Sequence, residues 1–313
     1  MNGFPLSPRL LRALLPAFSL AVILGAIFYL QPRTMSYLGL NLLLNLAVPI
    51  ALATIAQMFI ICVDDLDLSI GGYVSFTACI TATLLNDEPA LGVLALIGCV
   101  VVYAALGALI HLRNLPSIVV TLGMSFIWLG GAILVLPTPG GDAPEWLNAL
   151  MTMKPEVVPF PIIASVVIAL VVHVGLMWSP HGAVLRGVGG NARSVARAGW
   201  SILKAKMTMY ALAGVAGALA GMALVGLTTS ADANIALRYT LLSIAGVILG
   251  GGEFVGGRVS PIGAVIGAMT LTLAASFLSF LQLNPDWQIG AQGAILIIVL
   301  ALRVLIDRTD RLR

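Results

Sequence analysis

Apolar residues follow one another in long runs along this chain, and short polar stretches separate the runs. A run of about 20 apolar residues is the length that an α-helix needs to cross a lipid bilayer. The pattern predicts about ten such transmembrane helices, and they fall at residues 12–30, 41–62, 68–85, 90–111, 117–136, 159–178, 207–227, 238–252, 259–280 and 288–306. We therefore predict an all-α polytopic membrane protein in which residues 1–313 form a single transmembrane domain.

The main polar interruption is the segment 179–206, which we call the basic loop. Five of the chain's 16 Lys and Arg residues lie in it, and it contains no Asp or Glu. Loops rich in Lys and Arg stay on the cytoplasmic side of a membrane. If ten spans alternate with this loop inside, 13 basic residues fall on the cytoplasmic side and three on the other. This topology places both termini in the cytoplasm.

Composition narrows the class further. The chain is 60% hydrophobic and 9% charged, whereas soluble domains carry about 25% charged residues. The net charge is +3, and the basic residues group by membrane side, so we expect no nucleic-acid partner. Cys62, Cys79 and Cys99 lie in apolar runs and are expected to be small buried residues. The three histidines lack metal-ligand spacing, so no metal site is expected.

Two polar interruptions carry candidate functional residues. The basic loop contains a helix-forming piece at 191–198 that follows several glycines and offers a polar surface to a soluble partner. The stretch VDDLDLSIGG places Asp64, Asp65 and Asp67 between two apolar runs. They are either solvated in a tight turn, with Asp67 or Ser69 capping the next helix, or part of a broken helix that lines a path.

Other polar positions leave alternatives open. The glycine-rich stretch LGGGEFVGGRVSP is a gate hinge, a partner-facing loop or a simple connector, and its candidate residues are Gly250, Gly251, Gly256, Gly257 and Arg258. Polar groups in or near the spans line a path or bond between helices; the path candidates are Asn45, Gln57, Asp67, Ser69, Thr121 and Trp128. The outer loop 137–159 either receives a soluble partner or caps the bundle.

Motifs for chemistry are missing from the chain. There is no phosphate-binding G-x-x-x-x-G-K-[ST], no H-E-x-x-H and no G-x-S-x-G. We therefore predict a transport subunit that is not an enzyme. Energy for uphill transport would come from an ion gradient or from another subunit.

Four stretches, taken in order, resemble the permease subunits of bacterial ABC importers for ribose, xylose, galactose and related sugars. They are VDDLDLSIGG, PSIVVTLG, GVGGNARSVARAGW and LGGGEFVGGRVSPIGAVIGA, and the tail PDWQIGAQGAILIIVLAL is similar as well. The resemblance covers about residues 40–306. Asp64 and Asp65 stand where the family has a pair of glycines.

The resemblance implies a type II ABC importer-like fold in a bacterial inner membrane. It implies that the basic loop docks on a cytoplasmic ABC ATPase, with the coupling residues Gly189, Gly190, Asn191, Arg193, Arg197 and Gly199. It also implies a periplasmic sugar-binding protein, a second permease copy or paralogue, and no cofactor on this chain, since the ATPase uses the ATP. Nucleosides or branched-chain amino acids stay open as cargo, as does a gradient-driven secondary transporter.

Overall fold

The computed structural model describes residues 8–254, 256–281, 290 and 293–294. Their regular structure is helical, apart from one isolated bridge between Gly140 and Ala231. The α-helices are α1 (Pro8–Leu30), α2 (Tyr37–Leu44), α3 (Ala47–Cys62), α4 (Ile70–Ile80), α5 (Pro89–Arg113), α6 (Ser117–Val135), α7 (Glu145–Met151), α8 (Phe160–His173), α9 (Pro180–Arg197), α10 (Ile202–Thr228), α11 (Tyr239–Leu249) and α12 (Pro261–Phe280). The predicted span 288–306 lies outside the described helices.

Six helical stretches in the described residues are long and apolar enough to cross a membrane. They are Tyr37–Cys62, Pro89–Arg113, Ser117–Val135, Phe160–Trp178, Ile202–Thr228 and Pro261–Phe280. Each matches a predicted span, which confirms the all-α membrane class. Three further predicted spans correspond to shorter apolar helices at Leu14–Leu30, Ile70–Leu85 and Tyr239–Leu249. Single π-helical turns, Thr81–Leu85 and Val174–Trp178, extend α4 and α8.

Helix α10 is the centre of the bundle and packs against α3, α4 and α5. Its small residues, among them Gly217 and Gly221, allow this close approach. A Cβ on Gly217 would lie 2.8 Å from the Tyr73 ring, and one on Gly221 would lie 2.2 Å from Thr77 Oγ1. In lipid, where water does not drive helices together, such contacts supply much of the association energy.

Two non-helical segments are partly buried in the bundle, and α4 and α11 begin where these segments end. The first is the connection 63–69; the second is the segment 229–238, whose residues Ala231, Ala233 and Ala236 are buried. The two helix starts touch, since Thr240 Oγ1 accepts a hydrogen bond of 3.0 Å from Gly71 N. Irregular backbone is tolerated at such depth because protein groups satisfy its hydrogen bonds.

The connections between helices meet at two opposite ends of the bundle. At one end, Cys62 O lies against Gly189 and Gly257. At the other, Asp142 N donates to Ala82 O over 2.9 Å, and Asn148 of α7 donates to Gly226 O over 2.9 Å. The outer loop therefore covers the second end of the bundle. Successive spans run in opposite directions, and such an arrangement places these connections at the same two ends.

Candidate functional site: the basic loop and the connection 63–69

The basic loop is mostly helical. Ser179 caps α9 by accepting a hydrogen bond of 2.9 Å from Gly182 N, and Ser201 caps α10. Within α9, Asn191 has extended backbone angles, φ −160° and ψ 83°, and breaks the helix there. Its Oδ1 accepts a 3.0 Å hydrogen bond from Ser194 N and starts the next helical turn. The predicted helical piece at 191–198 is present as the second half of α9.

Positive charge on this loop faces outward. Arg193, Arg197 and Lys204 are exposed, and no described ion pair involves them. Arg186 is half-buried, and its guanidinium donates to Met177 O, in the turn that ends α8, over 3.4 Å. The exposed face of α9 beyond Asn191 is therefore free to bind a partner that carries acidic groups.

Two glycines of the basic loop pack directly against other parts of the bundle. A Cβ on Gly189 would lie 2.2 Å from Cys62 O and 2.9 Å from Gly257 Cα, and one on Gly190 would lie 3.3 Å from Gly256 O. Only glycine allows this approach of backbone to backbone at Gly189. The structure thus joins predicted coupling residues to two predicted hinge residues.

The remaining hinge candidates form a closed turn between α11 and α12. Gly250 packs on Gly263, where an added Cβ would lie 2.3 Å from its carbonyl group. Glu253 N donates to Arg258 O over 2.9 Å, and their side chains form an exposed ion pair at 3.6 Å. Gly251 has a φ of +97°. The gate or hinge role of this turn stays a prediction.

Asp67 lies fully buried in the connection 63–69 and carries the largest set of polar contacts there. Its Oδ1 accepts hydrogen bonds from Ser69 N at 2.6 Å and Ser69 Oγ at 2.7 Å. Its Oδ2 accepts a hydrogen bond from the Tyr103 hydroxyl on α5. These three donors satisfy the buried carboxyl group. We call Asp67, Ser69 and Tyr103 the Asp67 cluster.

Three more side chains hold the backbone around Asp67. Ser117 Oγ accepts from Leu66 N at 3.1 Å, and Thr121 Oγ1 accepts from Leu68 N at 3.0 Å. With its amide oriented to satisfy both atoms, Gln57 bonds the backbone O and N of Asp67 at 3.0 and 3.2 Å. Side chains of α3 and α6 therefore replace the hydrogen bonds that a helix would have made.

The three aspartates of this connection have different surroundings. Asp67 is buried, Asp65 pairs with Lys206 Nζ at 2.7 Å, and Asp64 is exposed. The single solvated turn considered above therefore applies to Asp64 alone, and the Ser69 side chain makes no capping bond. Asp64 has a φ of +64°, a conformation that suits glycine, which accounts for the glycine that the resembling family has there.

The other path candidates lie apart from the Asp67 cluster or beside it. Trp128 stacks 6.1 Å from the Tyr103 ring, within an aromatic group that includes Tyr73 and Phe76. Asn45 ends α2, away from that cluster. Gln57, Asp67, Ser69 and Thr121 are buried at the connection 63–69. Lining of a path by the six candidates stays a prediction.

Sequence reasoning missed Tyr103 and Ser117. Tyr103 lies in the apolar run of α5, where the neighbouring side chains offer its hydroxyl no hydrogen-bond partner. A buried tyrosine hydroxyl needs a hydrogen-bond partner, and a buried aspartate needs donors. These two requirements together would have suggested Asp67 and Tyr103 as partners. The sequence does not show, however, which helices lie next to each other.

Comparison with known proteins identifies a family and several relatives of this chain. Residues 39–300 match the family model described as branched-chain amino acid transport system / permease component. The galactose/methyl galactoside import permease protein MglC of Escherichia coli is 28% identical, over 90% of this chain and 91% of its own length. The ribose import permease protein RbsC of Bacillus subtilis is 26% identical, over 94% and 92%. No solved structure matches the chain significantly.

The six long apolar helices define a multi-pass helical membrane protein. Because the family model covers most of its length, the chain belongs to the family of branched-chain amino acid transport system permease components. The D-allose transport system permease protein AlsC of Escherichia coli is a further relative, 26% identical over 93% of this chain and 91% of its own length. The predicted resemblance to permease subunits of sugar ABC importers is confirmed.

Proposed function

We propose that this protein is the transmembrane permease subunit of an ATP-driven sugar importer in a bacterial inner membrane. The observation that carries the proposal is the end-to-end similarity to permeases named for galactose, ribose and allose import. In this proposal the chain spans the membrane about ten times, and both termini are cytoplasmic. It pairs with a second copy or a paralogue, and receives sugar from a periplasmic binding protein.

The basic loop is the part of the chain that best suits the ATPase partner. The second half of α9 is an exposed helix with Arg193 and Arg197 on its surface. Its first half packs by Gly189 on the ends of two other connections. A load applied to the exposed half therefore reaches the bundle through the contact at Gly189, two residues before the break at Asn191. Asn191, Gly190 and Gly199 set the shape of this coupling element.

Charge reversal tests the docking step. Arg193→Glu and Arg197→Glu place acidic groups on a surface that now has none, and we expect each to weaken co-purification with the ATPase by about tenfold. Membrane insertion should not change, because both side chains lie outside the bundle. Lys154→Glu, on the outer loop, is the matched control and should bind the ATPase normally. Unchanged co-purification of both α9 variants would contradict the assignment.

Transport itself is tested by reconstitution of the permease in vesicles with its ATPase and binding protein. We expect uptake of at least one of D-ribose, D-galactose and D-allose that requires ATP and does not respond to a proton gradient. Gradient-driven uptake without the ATPase would instead establish a secondary transporter.

A second cargo is favoured by the family to which the chain belongs, which is described by branched-chain amino acid transport. Leucine, isoleucine and valine therefore belong in the same uptake experiment. Uptake of these amino acids with no sugar uptake would keep the permease assignment and replace the substrate class.

A further inference from the structure

The basic loop touches the bundle through one ion pair as well as through its glycines. Lys206 Nζ lies 2.7 Å from Asp65 Oδ2, and the two side chains are 16% and 8% exposed. Tyr210 Oη donates to the same oxygen over 3.3 Å. Lys206 and Tyr210 are four residues apart and so lie on one face of α10, near the point where the basic loop becomes this helix.

The Asp65 side of the pair leads directly into the protein interior. Two residues further on, Asp67 is held by Ser69 and Tyr103. Between them, Leu66 N is held by Ser117 on α6. The connection 63–69 is therefore tied to α10 at one point and to α5 and α6 at the next. A movement of the start of α10 larger than the Lys206 side chain can accommodate either carries Asp65 with it or breaks the ion pair.

Burial distinguishes this pair from the other described ion pair at the same end of the bundle. Glu253 and Arg258 lie 3.6 Å apart with side chains 37% and 70% exposed, so water screens their attraction. Lys206 and Asp65 are mostly buried, so if they separate, little water can reach either charge to solvate it. Separation of a mostly buried pair is strongly unfavourable, so the two residues are expected to move together.

We propose that the Lys206–Asp65 ion pair transmits movement of the basic loop to the connection 63–69, and so couples ATP hydrolysis to solute movement. The inference rests on the proposed function, since it requires an ATPase acting on the basic loop. It assigns Lys206, Asp65 and, through its hydroxyl, Tyr210 as positioning residues. None of the three needs to touch the solute or the ATPase.

The test uses the complete complex in vesicles, with whichever of D-ribose, D-galactose and D-allose the wild type carries. Lys206→Met should leave ATPase binding and ATP hydrolysis within about twofold of wild type, and lower the solute moved per ATP by about tenfold. The double exchange Asp65→Lys with Lys206→Asp should restore at least about a third of that ratio, because attraction between the two positions is restored. Glu253→Gln, which opens the exposed pair, should leave the ratio unchanged.

Three results would overturn the inference. In the first, Lys206→Met keeps the wild-type ratio of solute to ATP. In the second, binding, hydrolysis and transport fall together and the double exchange restores none of them, which shows a purely structural role. In the third, Glu253→Gln lowers the ratio as much as Lys206→Met. A wild-type complex with no ATP-driven uptake of any tested solute would instead contradict the proposed function.

Discussion

Removal of the Asp67 carboxylate is the substitution that the structure predicts most sharply. Asp67→Ala removes the acceptor of three buried donors: the Ser69 N–H, the Ser69 hydroxyl and the Tyr103 hydroxyl. The two hydroxyls lie 3.3 Å apart, so one of them can still donate to the other. A buried donor that loses its partner costs about 1–3 kcal/mol. Partial relaxation lowers the sum, so we expect Asp67→Ala to reduce the free energy of unfolding by about 3–5 kcal/mol.

Two matched variants separate the hydrogen bonds from the charge. Asp67→Asn keeps an acceptor for Ser69, and its amide can donate to the Tyr103 hydroxyl, so we expect a loss of only about 1–2 kcal/mol. Asp64→Asn removes an exposed carboxylate three residues away. Asparagine tolerates the positive φ that Asp64 has at this position. It should not destabilise the protein.

Denaturation by SDS in mixed micelles gives these free energies, and uptake in vesicles gives the functional counterpart. We expect transport to fall in the order Asp64→Asn, Asp67→Asn, Asp67→Ala, with the largest loss last. If Asp67→Ala unfolds with the same free energy as Asp64→Asn, the Asp67 cluster does not hold the connection 63–69. Equal transport by the Asp64 and Asp67 variants would remove the functional distinction as well.

Three further predictions concern single positions. Gly189→Ala puts a methyl group 2.2 Å from Cys62 O and should abolish ATP-driven uptake, whereas Gly190→Ala, with 3.3 Å of room, should keep most of it; uptake assays decide. Gly221→Val drives a side chain into Thr77 and should cost at least about 2 kcal/mol in SDS denaturation, while Gly98→Val, which meets nothing within 4 Å, should be neutral. Although Asp64 is exposed, partial loss of its hydration, followed by the neighbouring charge of Asp65, raises the pKa of its carboxyl above the ordinary 3.8. Ionisation therefore destabilises the fold as pH rises above 3.8, so Asp64→Asn should melt slightly higher than wild type at pH 7 and equally well below pH 3.8.

The membrane helices could be predicted because their signal is local. A run of apolar residues has to be satisfied by lipid or by protein wherever it lies, so its length alone places α5, α6 and α10. Depth is not local, however. The prediction of a span at 238–252 gave no sign that the segment 229–238 enters the bundle, or that α11 starts beside Gly71 in its interior.

The sequence did not predict that the glycines of the basic loop are themselves helical. Gly187, Gly189 and Gly190 precede the helical piece at 191–198, as predicted, but they lie in the first half of α9. Glycine weakens helices, and here the close approach of Gly189 to Cys62 O requires it. The pairings of Asp67 with Tyr103 and of Asp65 with Lys206 join residues 36 and 141 positions apart, and hydropathy alone does not predict which helices become neighbours.

The central claim is that the basic loop faces the cytoplasm, where an ATPase can reach it. The direct measurement is labelling of single cysteines with a membrane-impermeant maleimide, in intact spheroplasts and after permeabilisation. The native Cys62, Cys79 and Cys99 are buried, so Arg193→Cys and Thr138→Cys report the two ends of the bundle. The account predicts that Thr138→Cys is labelled in intact spheroplasts and Arg193→Cys only after permeabilisation. Labelling of Arg193→Cys in intact spheroplasts would contradict it.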